Sequence, residues 1–226
     1  GLALDAIDAL LLTHLDQDHF RRTLPNALAD RRIPVYLHRW HADALAHRAD
    51  AKPLRDAGLI VPIDTGPDTP PFRPLPGLAV TPIRLQHDRQ GTTGYRLDQT
   101  APCAAAVGYA TDLGHAPPAL IDRFAGVDVL CLEANYDERM TLLSPRPSFV
   151  NRRNLSTSGH LSNEQAYETV RAIADRSPHG RPHHVLLMHR SSQCNHPTKL
   201  RRAFEHDPLL ASRVLLTEQR RRTRWV

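Results

Sequence analysis

The strongest constraint on the fold is an alternation of short Val-, Leu- and Ile-rich runs with helical or turn-like stretches, the sequence pattern of a layered α/β domain. Strands are predicted over Ala9–Thr13, Ile33–His38, Leu78–Gln86, Thr92–Leu97, Ala104–Thr111, Asp128–Glu133, His184–His189 and Val214–Thr217. Helices are predicted over Leu24–Asp30, His41–Ala49, Ala119–Phe124, Asn163–Arg176 and Thr198–His206. The Asn163 helix has the clearest start, because Ser162-Asn163-Glu164-Gln165 is a capping-box pattern and Ala166, Val170, Ile173 and Ala174 then recur on one face. Pro67, Pro70, Pro71, Pro74 and Pro76 crowd the stretch from Asp64 to Gly77, which is therefore read as a loop. No repeat or change of composition marks a boundary, so residues 1–226 are expected to form one domain.

The chain has 226 residues, enough to bury a substantial core, and no apolar run long enough to cross a bilayer. Its start lacks the basic, apolar and small-residue succession of a secretory signal, so a cytoplasmic location is expected. Cys103, Cys131 and Cys194 are an odd number without a CxxC pair, which argues against a disulfide framework or a zinc knuckle. A net charge of +5 favours an anionic partner, although the Arg220, Arg221, Arg222 and Arg224 cluster reads as a solvated tail. The 14 histidines exceed what packing needs, so metal or acid–base chemistry is the first class to test.

Nearly every His and Asp of interest stands at the C-terminal end of a predicted strand, where layered α/β folds gather their sites. The densest group follows Ala9-Leu10-Leu11-Leu12 and reads Thr13-His14-Leu15-Asp16-Gln17-Asp18-His19. In an irregular turn leaving a strand, His14 and Asp16 can face one divalent ion while Asp18 and His19 face a second. Other strand ends carry His87, Asp112 within Thr111-Asp112-Leu113-Gly114, and His189 before Arg190-Ser191-Ser192. Between them lie Glu133 in Leu132-Glu133-Ala134 and His160 in Ser158-Gly159-His160-Leu161-Ser162.

The first group resembles the Thr-His-x-His-x-Asp-His signature of the metallo-β-lactamase superfamily, with Asp16 at the position of its second histidine. The resemblance runs in family order over essentially the whole chain and is closest to the tRNase Z-like and single-domain bacterial exonuclease-like branch. It implies a four-layer αββα sandwich with mixed sheets. Family members carry two or three strands ahead of the signature; only Gly1 to Asp8 precede its strand here, so the N-terminal part is expected to be truncated. The resemblance also implies a ligand set of His14, Asp16, Asp18, His19, His87, Asp112 and His189 for two divalent metal ions, with Asp112 bridging them. The oxygen of Asp16 in place of an imidazole shifts preference toward Mn or Fe relative to Zn.

Glu133 and His160 resemble a pair from the phosphodiesterase branch, in which a Glu orients a His that protonates the leaving oxygen. The helix start after His160 also favours phosphate; the alternative role for His160 is as a metal ligand. With Asp18 orienting the attacking water, the implied activity is metal-dependent hydrolysis of a phosphodiester, in a nucleic acid or a small molecule. Competing expectations are hydrolysis of another ester, a thioester or a lactone, and a non-catalytic metal- or nucleic-acid-binding member of the fold. Oligomeric state is not assigned by the sequence.

Overall fold

A computed structural model describes residues 3–66, 68–178, 180–219, 221 and 223. Three of the four C-terminal arginines, Arg220, Arg222 and Arg224, lie outside the described residues, and Arg221 is exposed.

The N-terminal half builds β1 (Leu10–Leu11), α1 (Leu24–Asp30), β2 (Val35–His38), α2 (Arg39–Ala46), α3 (Lys52–Asp56) and β3 (Ile60–Ile63). The three strands pair in parallel in the order β1-β2-β3. Along β2 the two-residue period sorts side chains: Val35 and Leu37 pack in a cluster with Leu28, Leu45 and Leu54 of the helices, while Tyr36 turns to the opposite face.

The second sheet contains β4 (Phe72–Leu75), β5 (Leu78–Leu85), β6 (Thr92–Gln99), β7 (Ala105–Ala110), β8 (Val129–Glu133), β9 (His184–Met188) and β10 (Val214–Leu216), in the order β10-β9-β8-β7-β6-β5-β4. Pairing is antiparallel from β4 to β7 and parallel from β7 to β10, so the sheet is mixed. Its outer face carries α4 (Pro118–Phe124), α7 (Asn163–Arg176) and α8 (Pro197–Phe204) through Leu120, Phe124, Val170, Ile173, Leu200 and Phe204 against Leu130, Leu132, Val185 and Leu187.

Between the sheets Ile63, Val80 and Tyr95 are buried together with Leu11, Tyr36 and Phe72, and the Tyr36 and Phe72 rings stack with centroids 5.2 Å apart. Helices, sheet, sheet and helices thus form the expected αββα sandwich. Two bonds hold the end of β1 against the second sheet: Tyr95 Oη donates to the Leu12 carbonyl at 2.6 Å and Thr93 N–H to the Thr13 carbonyl at 3.1 Å.

The Asp64–Gly77 loop needs correction, because Phe72–Leu75 is a strand despite Pro74. It lies at the end of the sheet order and pairs with β5 at Phe72–Val80 and Leu75–Leu78 with a register shift between, so the missing Pro74 N–H breaks no ladder on its free side. Helix α2 starts two residues before its predicted position, where the His38 ring accepts the Trp40 N–H at 3.3 Å. The Ser162 capping box is present, and α7 spans the predicted residues. Strand β3 and helices α3, α5 (Glu138–Leu142), α6 (Ser148–Asn154) and α9 (Pro208–Ala211) add to the predicted elements. No helix among the described residues is long and apolar enough to cross a membrane.

Candidate metal centre

Strands β5, β7, β8 and β9 all run in one direction, so their C-terminal ends meet at one edge of the second sheet, beside the end of β1. That edge gathers His14, His19, His87, Asp112, Glu133, His160 and His189. Two close approaches lock the loops there. A Cβ on Gly114 would stand 2.2 Å from the Thr157 carbonyl, and one on Gly159 would stand 2.2 Å from the Arg153 oxygen. Only hydrogen fits at either place. Asp112 and His189 both have left-handed backbone conformations, φ +57° and +55°, an unfavourable state for side chains other than Gly that persists here where the strand ends turn into the site.

Asp112 stands among three groups whose candidate ligand atoms lie within 4.8 Å of one another. His14, His87 and Asp112 form one set, Asp18, His19 and His189 another, and Asp112, Glu133, His160 and His189 a third. Asp112 Oδ1 is 3.9 Å from His87 Nε2 and 3.6 Å from His189 Nε2, while Oδ2 is 3.1 Å from His19 Nε2. Asp18 Oδ2 lies 3.6 Å from His189 Nε2 and 3.8 Å from His19 Nε2. Asp16, with its side chain 53% exposed, stands outside these sets with Oδ2 3.6 Å from His14 Nε2.

Each remaining ring nitrogen is engaged from behind. Thr13 Oγ1 lies 3.0 Å from His14 Nδ1 and 3.3 Å from His19 Nδ1, and the Gly159 carbonyl lies 2.9 Å from His87 Nδ1. Glu133 Oε2 is 3.0 Å from His189 Nδ1 and 3.1 Å from His160 Nδ1. Such partners fix the tautomer and leave Nε2 facing the shared space, the arrangement found behind metal-binding imidazoles. Asn135 Nδ2 completes the set by donating to the His189 carbonyl at 2.8 Å.

Two buried atoms show that the space suits a cation. His14 Nε2 and Asp112 Oδ2 have no hydrogen-bond partner among the described residues, and the 3.1 Å approach of Asp112 to His19 lacks hydrogen-bond alignment. Unpartnered buried polar atoms are costly unless a further group satisfies them. The donor set, imidazoles plus carboxylates, fits divalent zinc, iron or manganese.

The electrostatics point the same way. Burial pushes the His14 pKa down to about 4, so its ring is neutral and able to ligate at pH 7. His189 is pushed up to about 11: burial lowers it, but Asp18, Glu133 and Asp112 outweigh that effect. Asp112 and Glu133 are both lowered, because the surrounding imidazoles overcome a burial that would raise them. The carboxylates are thus ionised beside a protonated His189, a positive charge that a metal ion would supply in place of that proton.

Several residues here were invisible to motif reading. Asn135, the Gly159 carbonyl and the Glu133 contacts to the backbone N–H groups of Asp112, at 3.0 Å, and Leu161, at 2.8 Å, all act across long sequence separations. Thr13 has a sequence signal, since its hydroxyl immediately precedes the His14 group.

The profile of the beta-lactamase superfamily domain matches residues 2–189. Among solved structures, the human short-form tRNase Z is similar over 96% of this chain and 78% of its own, at 17% identity and a TM-score of 0.57. Zinc-bound PqqB from Methylobacterium extorquens is similar over 96% of this chain and 71% of its own, at 17% identity and a TM-score of 0.60. A diphosphatase of the PhnP family is similar over 93% of this chain and 68% of its own, at 18% identity and a TM-score of 0.58. No curated protein matches the sequence. With its αββα layers, its histidines and carboxylates at one sheet edge and a profile match over most of its length, the chain belongs to the beta-lactamase superfamily domain family and has the metallo-β-lactamase fold.

Proposed function

We propose that this chain is a metal-dependent hydrolase with a two-metal centre that cleaves phosphodiesters. The observation that carries the reading is Asp112, which stands between the His14 and Asp18 sets: its Oδ1 lies 3.9 Å from His87 on the His14 side and 3.6 Å from His189 on the other, and its Oδ2 lies 3.1 Å from His19. One carboxylate can serve two ions in this way. Zinc, manganese and iron all suit the donors, with Asp16 completing the His14 side. When bound, the pair supplies Lewis acidity toward a phosphoryl group and lowers the pKa of water.

The protein side chains divide the remaining work. Asp18, held at a pKa of about 2 chiefly by the facing His189 imidazole, stays a carboxylate and orients the attacking water by accepting its hydrogen bond. Glu133 accepts the Nδ1–H of His160 and so fixes that ring beside Asp112, where it gives a proton to the leaving oxygen. Fully buried and hydrogen-bonded by two imidazoles, Glu133 orients rather than reacts.

The substrate is anionic, a nucleic acid or a small phosphodiester. The net charge of +5, with Arg152 and Arg153 on α6, supports this class. Two of the similar folds carry the names tRNase Z and diphosphatase. The test is metal quantification coupled to hydrolysis of bis(p-nitrophenyl) phosphate with Zn, Mn and Fe. About two ions per chain with metal-dependent turnover is the expected result; a metal-free protein, or a metal-loaded one that hydrolyses thioesters or lactones alone, overturns the proposal. Salt separates polymer from small substrate, because counterion release makes only the polymer reaction weaken steeply.

A further inference from the structure

A cavity of about 260 Å³ opens from the metal centre, with Asp18, His160 and His189 at one side and Arg146, Asn154 and Arg190 among its other lining residues. The two arginines differ from the cations that the fold neutralises within itself. Arg48, Arg96, Arg171 and Arg181 each face an aspartate. Arg190 has no ion pair among the described residues, and its Nε is buried without a hydrogen-bond partner. Arg146 spends its Nε on the neutral Gln193 Oε1, at 2.7 Å, and faces no carboxylate of its own. The one carboxylate in the lining, Asp18, is taken up by His189 and His19.

The cavity wall is built before any ligand arrives. Asn135 grips both sides of Arg190: its side chain donates to the His189 carbonyl at 2.8 Å, and its own carbonyl accepts the Ser191 N–H at 2.9 Å. Ser191 Oγ then accepts the Cys194 N–H at 3.1 Å. At Arg146, Ser144 Oγ accepts the backbone N–H at 3.3 Å in the turn between α5 and α6. A guanidinium whose Nε is buried without a partner or counter-ion, as at Arg190, is costly and matches phosphate geometry with paired N–H donors.

We infer that Arg190 and Arg146 form a second anion site beside the metal centre, which takes a phosphate flanking the scissile phosphodiester. The inference rests on the phosphodiesterase reading and narrows it: the preferred substrate carries a second phosphate one unit away from the bond that breaks. That group is either the terminal phosphate of a small nucleotide or the next linkage of an oligonucleotide.

The test uses two substrates that differ by one group, the p-nitrophenyl ester of thymidine 5′-phosphate with and without a 3′-phosphate, and a third in which that phosphate links a second nucleoside. The wild-type protein is expected to favour the 3′-phosphorylated ester in kcat/KM by about 10- to 100-fold, the value of charge-assisted hydrogen bonds to one anion. Arg190→Ala and Arg146→Ala should each erase most of that ratio, and Arg190→Lys should keep part of it. Preference for the terminal phosphate over the linked one identifies the small-nucleotide source, and equal preference the oligonucleotide.

Calorimetric binding of thymidine 3′,5′-bisphosphate against thymidine 5′-phosphate provides a readout free of turnover. A ratio unchanged by both alanine variants, or no preference in the wild type, overturns the anion site. Absence of turnover with the bisphosphate preference intact and Arg-dependent overturns the phosphodiesterase reading and leaves the site standing. Arg190→Lys also separates loss of the site from misfolding.

Discussion

Glu133 accepts the backbone N–H of Asp112 at 3.0 Å, so the carboxylate between the two ligand sets hangs from the same buried side chain that holds His160 and His189. Glu133 is completely buried and also accepts the Leu161 N–H at 2.8 Å. Through it, β7, β8, β9 and the segment leading into α7 share one anchor.

Replacing that anchor should damage metal binding and proton transfer together. Glu133→Gln keeps the shape but turns one acceptor into a donor facing two imidazole N–H groups. The expected result is a loss of about 10- to 100-fold in metal affinity and about 10²- to 10⁴-fold in kcat from the misplaced His160. Metal titration and steady-state kinetics on the same preparation check it. His160→Ala should reproduce the kcat loss while keeping both ions, and a variant that loses metal instead identifies His160 as a ligand.

The two ligand sets predict a graded response in metal content. His87→Ala removes a member of one set and His19→Ala a member of the other, so each variant should keep about one ion per chain. Asp112→Ala, which takes an oxygen from both, should keep fewer than either and lose turnover. Metal analysis after gel filtration decides the point. Full metal content with full activity in Asp112→Ala would falsify the bridging assignment.

Much of this arrangement could be read from the chain because strand-end chemistry leaves a local mark. His87, Asp112 and His189 each follow an apolar run, and the two-residue period of β5, β7 and β9 locates the turn that exposes them. The alternation marks a layered α/β domain, and the four-layer sandwich is what the resemblance of the His14 group to the metallo-β-lactamase superfamily implies. The site's supports left no such mark: Gly159 meets His87 across 72 positions and Asn135 meets His189 across 54, so only the folded chain joins them. Helices α5 and α6 are five and seven residues long, too short to show a period. Strand β4 was hidden by its prolines, whose tolerance depends on an edge position that sequence does not display. The pairing of His14 with Asp16 came from adjacency, whereas the fold groups His14 with His87 and Asp112.

Gly159 offers a test that touches no ligand. An added Cβ would stand 2.2 Å from the Arg153 oxygen and 2.3 Å from the Asn154 oxygen, both backbone atoms, so the loop itself must move. That shift withdraws the carbonyl that orients His87 and displaces His160, the next residue. Gly159→Ala should cost about 1–3 kcal/mol of stability, the usual penalty for forced overpacking, with a larger fractional loss of activity than of folded protein. Chemical denaturation and kcat on the folded fraction test it. Gly180→Ala, with φ +72° but its nearest contact the end of the Arg213 side chain, is the control: a comparable stability loss without the activity loss is expected.

Asp16 decides which metal the centre prefers. It lies 3.6 Å from His14 Nε2 with its side chain half exposed, close enough to join His14 and His87 after a small rotation. A carboxylate there hardens the ligand set and an imidazole softens it. Asp16→His should therefore raise affinity for zinc relative to manganese, by roughly tenfold if the ligand exchange is worth about 1.4 kcal/mol. Competition binding with both metals gives the ratio directly. Asp16→Ala is the necessary companion, because removing a ligand should weaken both metals on the His14 side, whereas a residue that never ligates should leave both affinities unchanged. If the ratio in Asp16→His equals that of the wild type and Asp16→Ala binds normally, the His14 side is completed by water rather than by Asp16, and the tuning role assigned to this carboxylate fails.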